Sequence, residues 1–151
     1  MHRTRLIGTA ILALALSAVL GTACTKDNAG TPGTTGTTGT APVRVSHIDL
    51  GREIAADKTI SNRTETFKPN DTIYASVLTN GSAPNARIGV KWMYQDGQVV
   101  DQSEQVIAPN GSAATEFHIT KPDGLPAGDY KVEVSVDGSP VQTKDFKVTA
   151  S

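Results

Sequence analysis

The chain has few side chains of the kinds that catalyse reactions or bind metal ions. Apart from His2 it holds two histidines, His47 and His118, and its single cysteine is Cys24. A serine hydrolase needs a nucleophile, a histidine and a carboxylate brought together, and a zinc site needs three or four ligands. Neither histidine belongs to a His-x-x-x-His pair, and one cysteine cannot form an internal disulfide. The sequence therefore predicts no enzyme, no metal ion and no cofactor.

Three aspartates near the carboxyl terminus, Asp123, Asp129 and Asp137, raise the question of a calcium site. A calcium-binding loop supplies oxygen ligands at alternating positions and usually carries a glycine at its sharp turn. No D-x-D-x-D-G pattern occurs here. We interpret these aspartates as turn and strand-end residues.

The amino terminus has the anatomy of a secretory signal. Arg3 and Arg5 precede an uninterrupted run of apolar or small residues from Leu6 to Leu20. A membrane-spanning helix needs about 20 apolar residues, so this run has the length of a signal peptide. Small residues follow it up to Cys24, where cleavage would expose the cysteine. An ordinary secretory leader with a cysteine near its cleavage site is the alternative.

The segment Gly21-Thr22-Ala23-Cys24 resembles the lipobox of bacterial lipoproteins, although its leucine, Leu20, stands four residues before the cysteine instead of three. The resemblance implies cleavage before Cys24, a diacylglyceryl group on its thiol and a third acyl chain on the new amino terminus. One acyl chain binds a bilayer reversibly, whereas two or three hold a protein there stably. Thr25 stands where an aspartate usually retains such proteins in the inner membrane. The resemblance therefore implies the outer membrane, with the protein facing the periplasm.

Residues 24–42 are expected to form a flexible linker that carries the lipid anchor. From Thr25 to Pro42 nearly every residue is Thr, Gly, Ala or Pro, and no large apolar side chain offsets the chain entropy. A flexible coil of these 18 residues would span about 20–25 Å. The sequence thus divides into a signal peptide (1–23), a linker (24–42) and a folded domain (43–151).

From Val43 onward, apolar and polar residues alternate, and Gly, Pro, Asn and Asp interrupt the pattern every eight to twelve residues. This spacing is typical of a β-sandwich. Trp92 is in phase with Ile88 and Val90, which predicts a core position for its ring rather than an exposed, sugar-stacking one. The residues expected to face inward are Val45, Ile48, Leu50, Phe67, Ile73, Ala75, Val77, Ile88, Val90, Trp92, Tyr94, Thr115, Phe117, Ile119, Tyr130, Val132, Val134, Val136, Phe146 and Val148.

Turn chemistry marks the ends of the predicted strands. Asp96-Gly97 and Asp137-Gly138 are two-residue hairpin signals, because glycine accepts the positive φ of a type I′ turn. The predicted loops are 80–85, 109–112 and 121–128. Four asparagines lie in Asn-x-Ser/Thr sequons, which we interpret as turn residues rather than glycan acceptors because of the bacterial-type leader. They are Asn62, Asn70, Asn80 and Asn110.

The predicted strand order resembles an immunoglobulin-like or fibronectin III-like sandwich of seven strands. Trp92 in the third strand and Gly128-Asp129-Tyr130 at the start of the sixth carry the resemblance, which covers residues 43–151. Val132 stands where an antibody domain has its second cysteine, so apolar packing is expected to replace the disulfide. The resemblance implies an all-β domain. Sandwiches serve many functions, so it names none.

Charge and topology favour a non-catalytic binding domain. Without Arg3 and Arg5 the chain carries three more acidic than basic residues, which argues against a nucleic-acid partner. In a fibronectin-like order the chain enters at one end of the sandwich, and the hairpin at 96–97 and the loop at 121–128 lie at the other. We predict that this far end contacts a partner. The candidate contact residues are Met93, Asp96, Asp123 and Leu125.

The partner is expected to be an envelope protein or component, and the domain is expected to be a monomer. A second hypothesis is an inhibitor of an envelope or foreign hydrolase, because a small rigid sandwich can present a loop to an active-site cleft. An enzyme has the least support. Clustering of His47 and His118 with two carboxylates would revive it.

Overall fold

Alternating apolar residues build two facing sheets in the computed structural model, which describes residues 40–150. All strand pairs are antiparallel except β2 with β8. The predicted signal peptide, Cys24 and nearly all of the linker lie outside the described residues. The sheets have the strand orders β1-β3-β6 and β2-β8-β7-β4-β5. The strands are β1 Ala41–Gly51, β2 Thr66–Phe67, β3 Ile73–Ser82, β4 Ala86–Tyr94, β5 Gln98–Ile107, β6 Asn110–Ile119, β7 Gly128–Val136 and β8 Ser139–Val148.

These strands confirm the predicted all-β, immunoglobulin-like sandwich. There are eight strands rather than seven, because Thr66–Phe67 adds a two-residue parallel strand along β8. β1 begins at Ala41, two residues before the predicted domain boundary. Between residues 40 and 150 we find no helix, and so none long and apolar enough to cross a membrane.

The core lies between the inner faces of the two sheets, and the alternation predicted most of its residues. Most of the predicted inward residues are buried, and Trp92 is 1% exposed. Val45, Tyr94 and Val136 are half-buried and pack against the cluster. Each strand contributes every second residue, because successive side chains of a strand point to opposite faces.

An aromatic cluster lies on the inner face of the five-stranded sheet. The ring of Phe146 contacts Phe67 and Trp92 edge-on, at centroid distances of 5.7 and 5.9 Å. It stacks on Tyr130 at 5.1 Å. Such pairs contribute about 0.5–1.5 kcal/mol each beyond the area they bury. Buried apolar residues of both sheets, Val132 at the cysteine position among them, belong to the same core cluster, so apolar packing joins the sheets.

Two of the predicted loops are largely strand. β3 continues through Gly81 to Ser82 and pairs there with Gly111 and Asn110 at the start of β6. A Cβ at Gly81 would lie 2.6 Å from the carbonyl oxygen of Pro42. The glycine is therefore needed for the close passage of β1, not for a turn. The interpretation of Asn80 and Asn110 as turn residues is also wrong, because Asn80 lies in β3 and Asn110 begins β6.

Both predicted hairpins form, but only one has the predicted turn length. Asp137 and Gly138 both have positive φ, 50° and 82°, and connect β7 to β8 as a two-residue turn. The β4–β5 loop instead has three residues, and its positive φ values belong to Gln95 (46°) and Gly97 (98°). The backbone N–H of Gln95 donates to the carbonyl oxygen of Asp129 at 2.8 Å. That bond to a neighbouring strand holds Gln95 in the left-handed region.

The register of the strands decides which loops share an end of the sandwich. Ala41 pairs with Ser82, and Ala86 pairs with Ile107, so the chain enters beside the β3–β4 and β5–β6 loops. We call this the proximal end. The β4–β5 hairpin and the loop at 120–127 lie at the opposite, distal end, in the arrangement that the sequence predicts.

Candidate binding surface

The loop at 120–127 forms the largest part of the distal end and is fixed to the domain. The backbone N–H of Gly124 donates to the carbonyl oxygen of Lys121 at 2.9 Å, which closes a tight turn. Gly124 has a φ of 78°, and a Cβ there would lie 2.9 Å from Oδ1 of Asn70. The next N–H, of Leu125, donates to the carbonyl oxygen of Pro69 at 2.8 Å. The loop is thus held against the turn that precedes β3.

Leu125 does not belong to the distal surface, which corrects its proposed contact role. Its side chain is 1% exposed and is part of the hydrophobic core. Sequence alone placed it in a polar loop, where an isolated apolar residue is usually exposed. The turn at Gly124 directs it inward, so Leu125 anchors the loop and is inaccessible to a partner.

Tyr130 fixes the other end of the same loop. Its hydroxyl donates to the carbonyl oxygen of Pro126 at 2.8 Å, which is the tyrosine corner of immunoglobulin-like domains. Burial raises the pKa of this hydroxyl, and the neighbouring Tyr94 raises it further. The phenol therefore stays protonated and keeps its role as a donor.

Tyr94 connects the β4–β5 hairpin to the loop. Its hydroxyl accepts a hydrogen bond from the amide of Gln95 at 2.7 Å and donates to the carbonyl oxygen of Ala127 at 3.1 Å. Its ring fits against Gly128, where a Cβ would approach to 2.6 Å. The hairpin and the loop therefore form one continuous, ordered surface.

Arg52 and Asp71 brace the distal end from the side of β2. The guanidinium of Arg52 donates to Asp71 at 2.7 Å and to the carbonyl oxygen of Thr66 at 2.7 Å, and it lies over the ring of Phe67. The pKa of Asp71 is lowered. Burial alone would raise it, but the backbone N–H of Lys68 and the charge of Arg52 outweigh burial. The carboxylate therefore stays ionised and keeps this corner closed.

The structure brings two of the predicted contact residues together at the distal end. Asp96 at the hairpin tip and Asp123 in the loop are both exposed. Met93 is half-buried and lies on the outer face of the five-stranded sheet, in register with Val99 and Lys131. It therefore borders the distal end rather than forming part of it.

The outer face of the five-stranded sheet carries a shallow groove of about 410 Å³ that sequence analysis did not single out. Gly89 forms its floor, and ion pairs lie on either side: Lys91–Glu133 and Arg87–Glu104, both at 3.2 Å. The available signal was a lone glycine inside a strand, which often marks a place of close approach. Serine 135 fills that space here, since a Cβ on Gly89 would lie 2.5 Å from its Oγ.

The two histidines do not come together. His47 on β1 pairs with Asp49 at 3.0 Å, and His118 on β6 pairs with Glu116 at 2.7 Å. Strand β3 lies between them. Within residues 40–150 no group of three potential metal ligands is close enough to hold an ion. The arrangement that would have revived the enzyme hypothesis is not formed by these residues.

Comparison with known proteins supports the fold. No family model matches the chain, and no curated protein does either. An immunoglobulin-like protein from Pseudomonas aeruginosa is similar in structure, with a TM-score of 0.50 and 18% identity over 73% of this chain and 98% of that one. At this identity the likeness concerns the immunoglobulin-like fold alone.

Two further solved structures are more distantly similar. One is a CARDB domain from Pyrococcus furiosus in complex with di-metal ions, with a TM-score of 0.46 and 14% identity over 74% of this chain and 90% of that one. The other is an alkylpurine DNA glycosylase from Pseudomonas fluorescens, with a TM-score of 0.46 and 16% identity. The match covers 73% of this chain but only 31% of the glycosylase.

Proposed function

We propose that this protein is a lipid-anchored lipoprotein of the bacterial envelope whose immunoglobulin-like domain binds an envelope partner without catalysis. The observation that carries the proposal is the position of Ala41, which begins β1 at the end opposite to the ordered distal loops. A linker attached there leaves the distal end free. The domain can then reach a partner while the anchor holds it at the membrane.

The anchor in this proposal is Cys24. Acylation of its thiol and of the new amino terminus would supply the two or three chains that stable membrane attachment requires. Thr25 follows the cysteine in place of the aspartate that usually retains such proteins in the inner membrane. The resemblance to bacterial lipoproteins therefore places the protein in the outer membrane, facing the periplasm, in this proposal. An anchored domain is confined near its partners, which raises their effective concentration and allows a modest contact surface to suffice.

The distal end supports binding because it is ordered before a partner arrives. Association costs about 0.5–1.5 kcal/mol for each flexible side chain that it immobilises, and more where a loop must be ordered. Leu125, Tyr94 and Tyr130 already hold the loop and the hairpin in place. Asp96 and Asp123 project from this ordered base and give it acidic contact points.

Charge reversal at the distal end is expected to release the partner. We predict that Asp96→Lys with Asp123→Lys lowers the amount of partner crosslinked in cells by about tenfold, which corresponds to about 1.4 kcal/mol of binding free energy. Quantitative mass spectrometry of the crosslinked products measures this loss. Asn85→Lys, an exposed position at the proximal end, serves as the control and should leave the yield unchanged. Equal yields from the double variant and the wild type would assign binding to another surface.

The rigid turn of the loop also favours the second candidate, a hydrolase inhibitor. Pro122 and Asp123 are exposed beside a turn whose base is fixed by Gly124 and Leu125. An inhibitor needs such a preorganised loop, because a flexible one would lose binding energy on ordering. The hydrolytic activity of the captured partner distinguishes the two functions. A hydrolase whose activity falls with added domain supports inhibition, and a captured partner without hydrolytic activity supports the binding module.

A further inference from the structure

Strand β5 forms a free edge of the five-stranded sheet. It pairs with β4 along one side, and no strand among residues 40–150 pairs with the other. Eight of its ten residues are exposed, and only Val100 and Ile107 are half-buried. Proteins protect such edges with lysine, proline, bulges or inward-pointing charges. β5 has no lysine or proline, and its bulge at Val100 and its inward-facing Asp101 lie in its first half. From Gln102 to Ile107 the strand is regular, and its backbone groups on the outer edge can accept another strand.

The outer face of β5 has a self-complementary order of side chains. Gln102, Glu104 and Val106 share this face, because they lie opposite Lys91, Gly89 and Arg87 on β4. Val100 is the extra residue of a bulge and has no partner on β4, so the alternation of side chains shifts by one residue there. Val99, which pairs with Met93, therefore lies on the outer face as well. In an antiparallel self-pairing centred on Ser103, Gln102 faces Glu104 and Val106 faces Val100, so an amide lies opposite an acid and a valine opposite a valine.

The inner side of β5 repeats this symmetry. Asp101, Ser103 and Gln105 lie opposite the inward residues Trp92, Val90 and Ile88 of β4. In an antiparallel pairing of β5 with an identical strand centred on Ser103, Asp101 faces Gln105, and Ser103 faces itself. No acid lies opposite an acid, and like charges directly opposite each other would destabilise the pair.

We propose that β5 pairs with the β5 strand of a second copy of this chain, antiparallel and in the register centred on Ser103. The two five-stranded sheets then form one continuous sheet about a two-fold axis. Val106, which is 63% exposed, then faces Val100 of the second copy, and Val99, which is 50% exposed, faces Ile107. Gln102 and Glu104 hydrogen-bond across it at two equivalent places. This inference goes beyond the proposed function and replaces the expectation of a monomer.

Existing contacts prepare the edge for this pairing. The amide of Gln105 donates to the carbonyl oxygen of Glu116 at 2.6 Å, which holds β5 to the other sheet. Lys121 lies 3.5 Å from Asp101, and Arg87 lies 3.2 Å from Glu104, so both acids have a cation nearby. Registers centred on Asp101 or on Glu104 would set that acid against its own copy, which disfavours them. The register centred on Ser103 avoids both clashes.

Disulfide trapping tests the register directly. In a Cys24→Ser background an introduced cysteine is the only thiol of the chain. We expect the purified full chain with Ser103→Cys to form a disulfide-linked dimer at least about tenfold faster than Glu104→Cys or Ser112→Cys, because only residue 103 lies opposite itself. Non-reducing electrophoresis after mild oxidation measures the rates. Equal rates at 103 and 112 would overturn the proposal, as would a disulfide of residue 103 to a different protein.

A charge variant gives an independent reading. Gln102→Glu places two acids opposite each other at both symmetric positions and is expected to slow trapping at residue 103 by about tenfold. Val141→Glu adds the same charge to an exposed position of the same sheet, away from β5, and should leave the rate unchanged. An unchanged rate in Gln102→Glu would contradict the register. The fluorescence of buried Trp92 shows whether each variant is folded.

Discussion

Replacing Phe146 with alanine is expected to lower the free energy of unfolding by about 3–5 kcal/mol. Phe146 is 5% exposed and joins the rings of Phe67, Trp92 and Tyr130 into one cluster, so its removal leaves a cavity between the sheets. For a domain of this size the melting temperature should fall by more than about 10 °C. Trp92, the only tryptophan of the chain, reports unfolding in urea or on heating.

Val141→Ala is the matched control, because Val141 lies on the same strand and is 51% exposed. Exposed substitutions of this kind usually change stability by less than about 0.5 kcal/mol. A loss below about 1 kcal/mol in Phe146→Ala would contradict the account of the aromatic cluster as a main part of the core.

Replacing Leu125 with alanine is expected to cost about 2–5 kcal/mol, the range of a fully buried leucine. A leucine exposed in a polar loop would cost less than about 0.5 kcal/mol, so the measurement separates the two positions. Hydrogen exchange of the Leu125 amide should also accelerate. This amide donates to the carbonyl oxygen of Pro69, and the hydrogen bond should open more often once the buried side chain is removed. Urea unfolding and exchange of the same variant measure both effects.

The control for Leu125→Ala is Val141→Ala, at an apolar residue that is 51% exposed and lies away from β5. It should unfold at the wild-type urea concentration. If Leu125→Ala and Val141→Ala unfold alike, the loop is not anchored through the core, and the ordered distal end loses its main support.

The fold could be predicted from the sequence because its strongest signals are local. Strict alternation assigned inner faces to strands such as β4 and β7, and the inward phase of Trp92 followed from its neighbours Ile88 and Val90. The hairpin at Asp137-Gly138 needed only the preference of these residues for positive φ. In each case the determining interactions lie within a few residues along the chain.

The predictions that failed depend on contacts between distant residues. Their residue types predict turns at Gly81 and Gly111, but the two glycines pair with each other in the β3–β6 register, and the chain at Pro42 passes close to Gly81. Gln95 adopts positive φ because Asp129 accepts its N–H. The direction of Leu125 depends on Pro69, which is far away in sequence. Sequence patterns carry no information on such partners.

The sequence predicted at which end of the sandwich the candidate surface lies, but not which residues are exposed on it. The register confirmed that the β4–β5 hairpin and the loop at 120–127 share one end, which follows from strand order alone. Exposure depends on packing, so only Asp96 and Asp123 lie fully on that end, while Met93 borders it and Leu125 lies beneath it. The bulge at Val100 depends on the pairing of β5 with β4, which no local pattern in the sequence marks.

The central claim is that Cys24 anchors this binding domain to the membrane, and one fractionation experiment tests it most directly. Wild-type protein should be recovered with membranes, and its mature amino terminus should begin at an acylated Cys24 when the terminal peptide is analysed by mass spectrometry. Cys24→Ser should move the protein out of the membrane fraction or leave its leader uncut. Recovery of Cys24→Ser with membranes, with the leader removed as in the wild type, would contradict the claim.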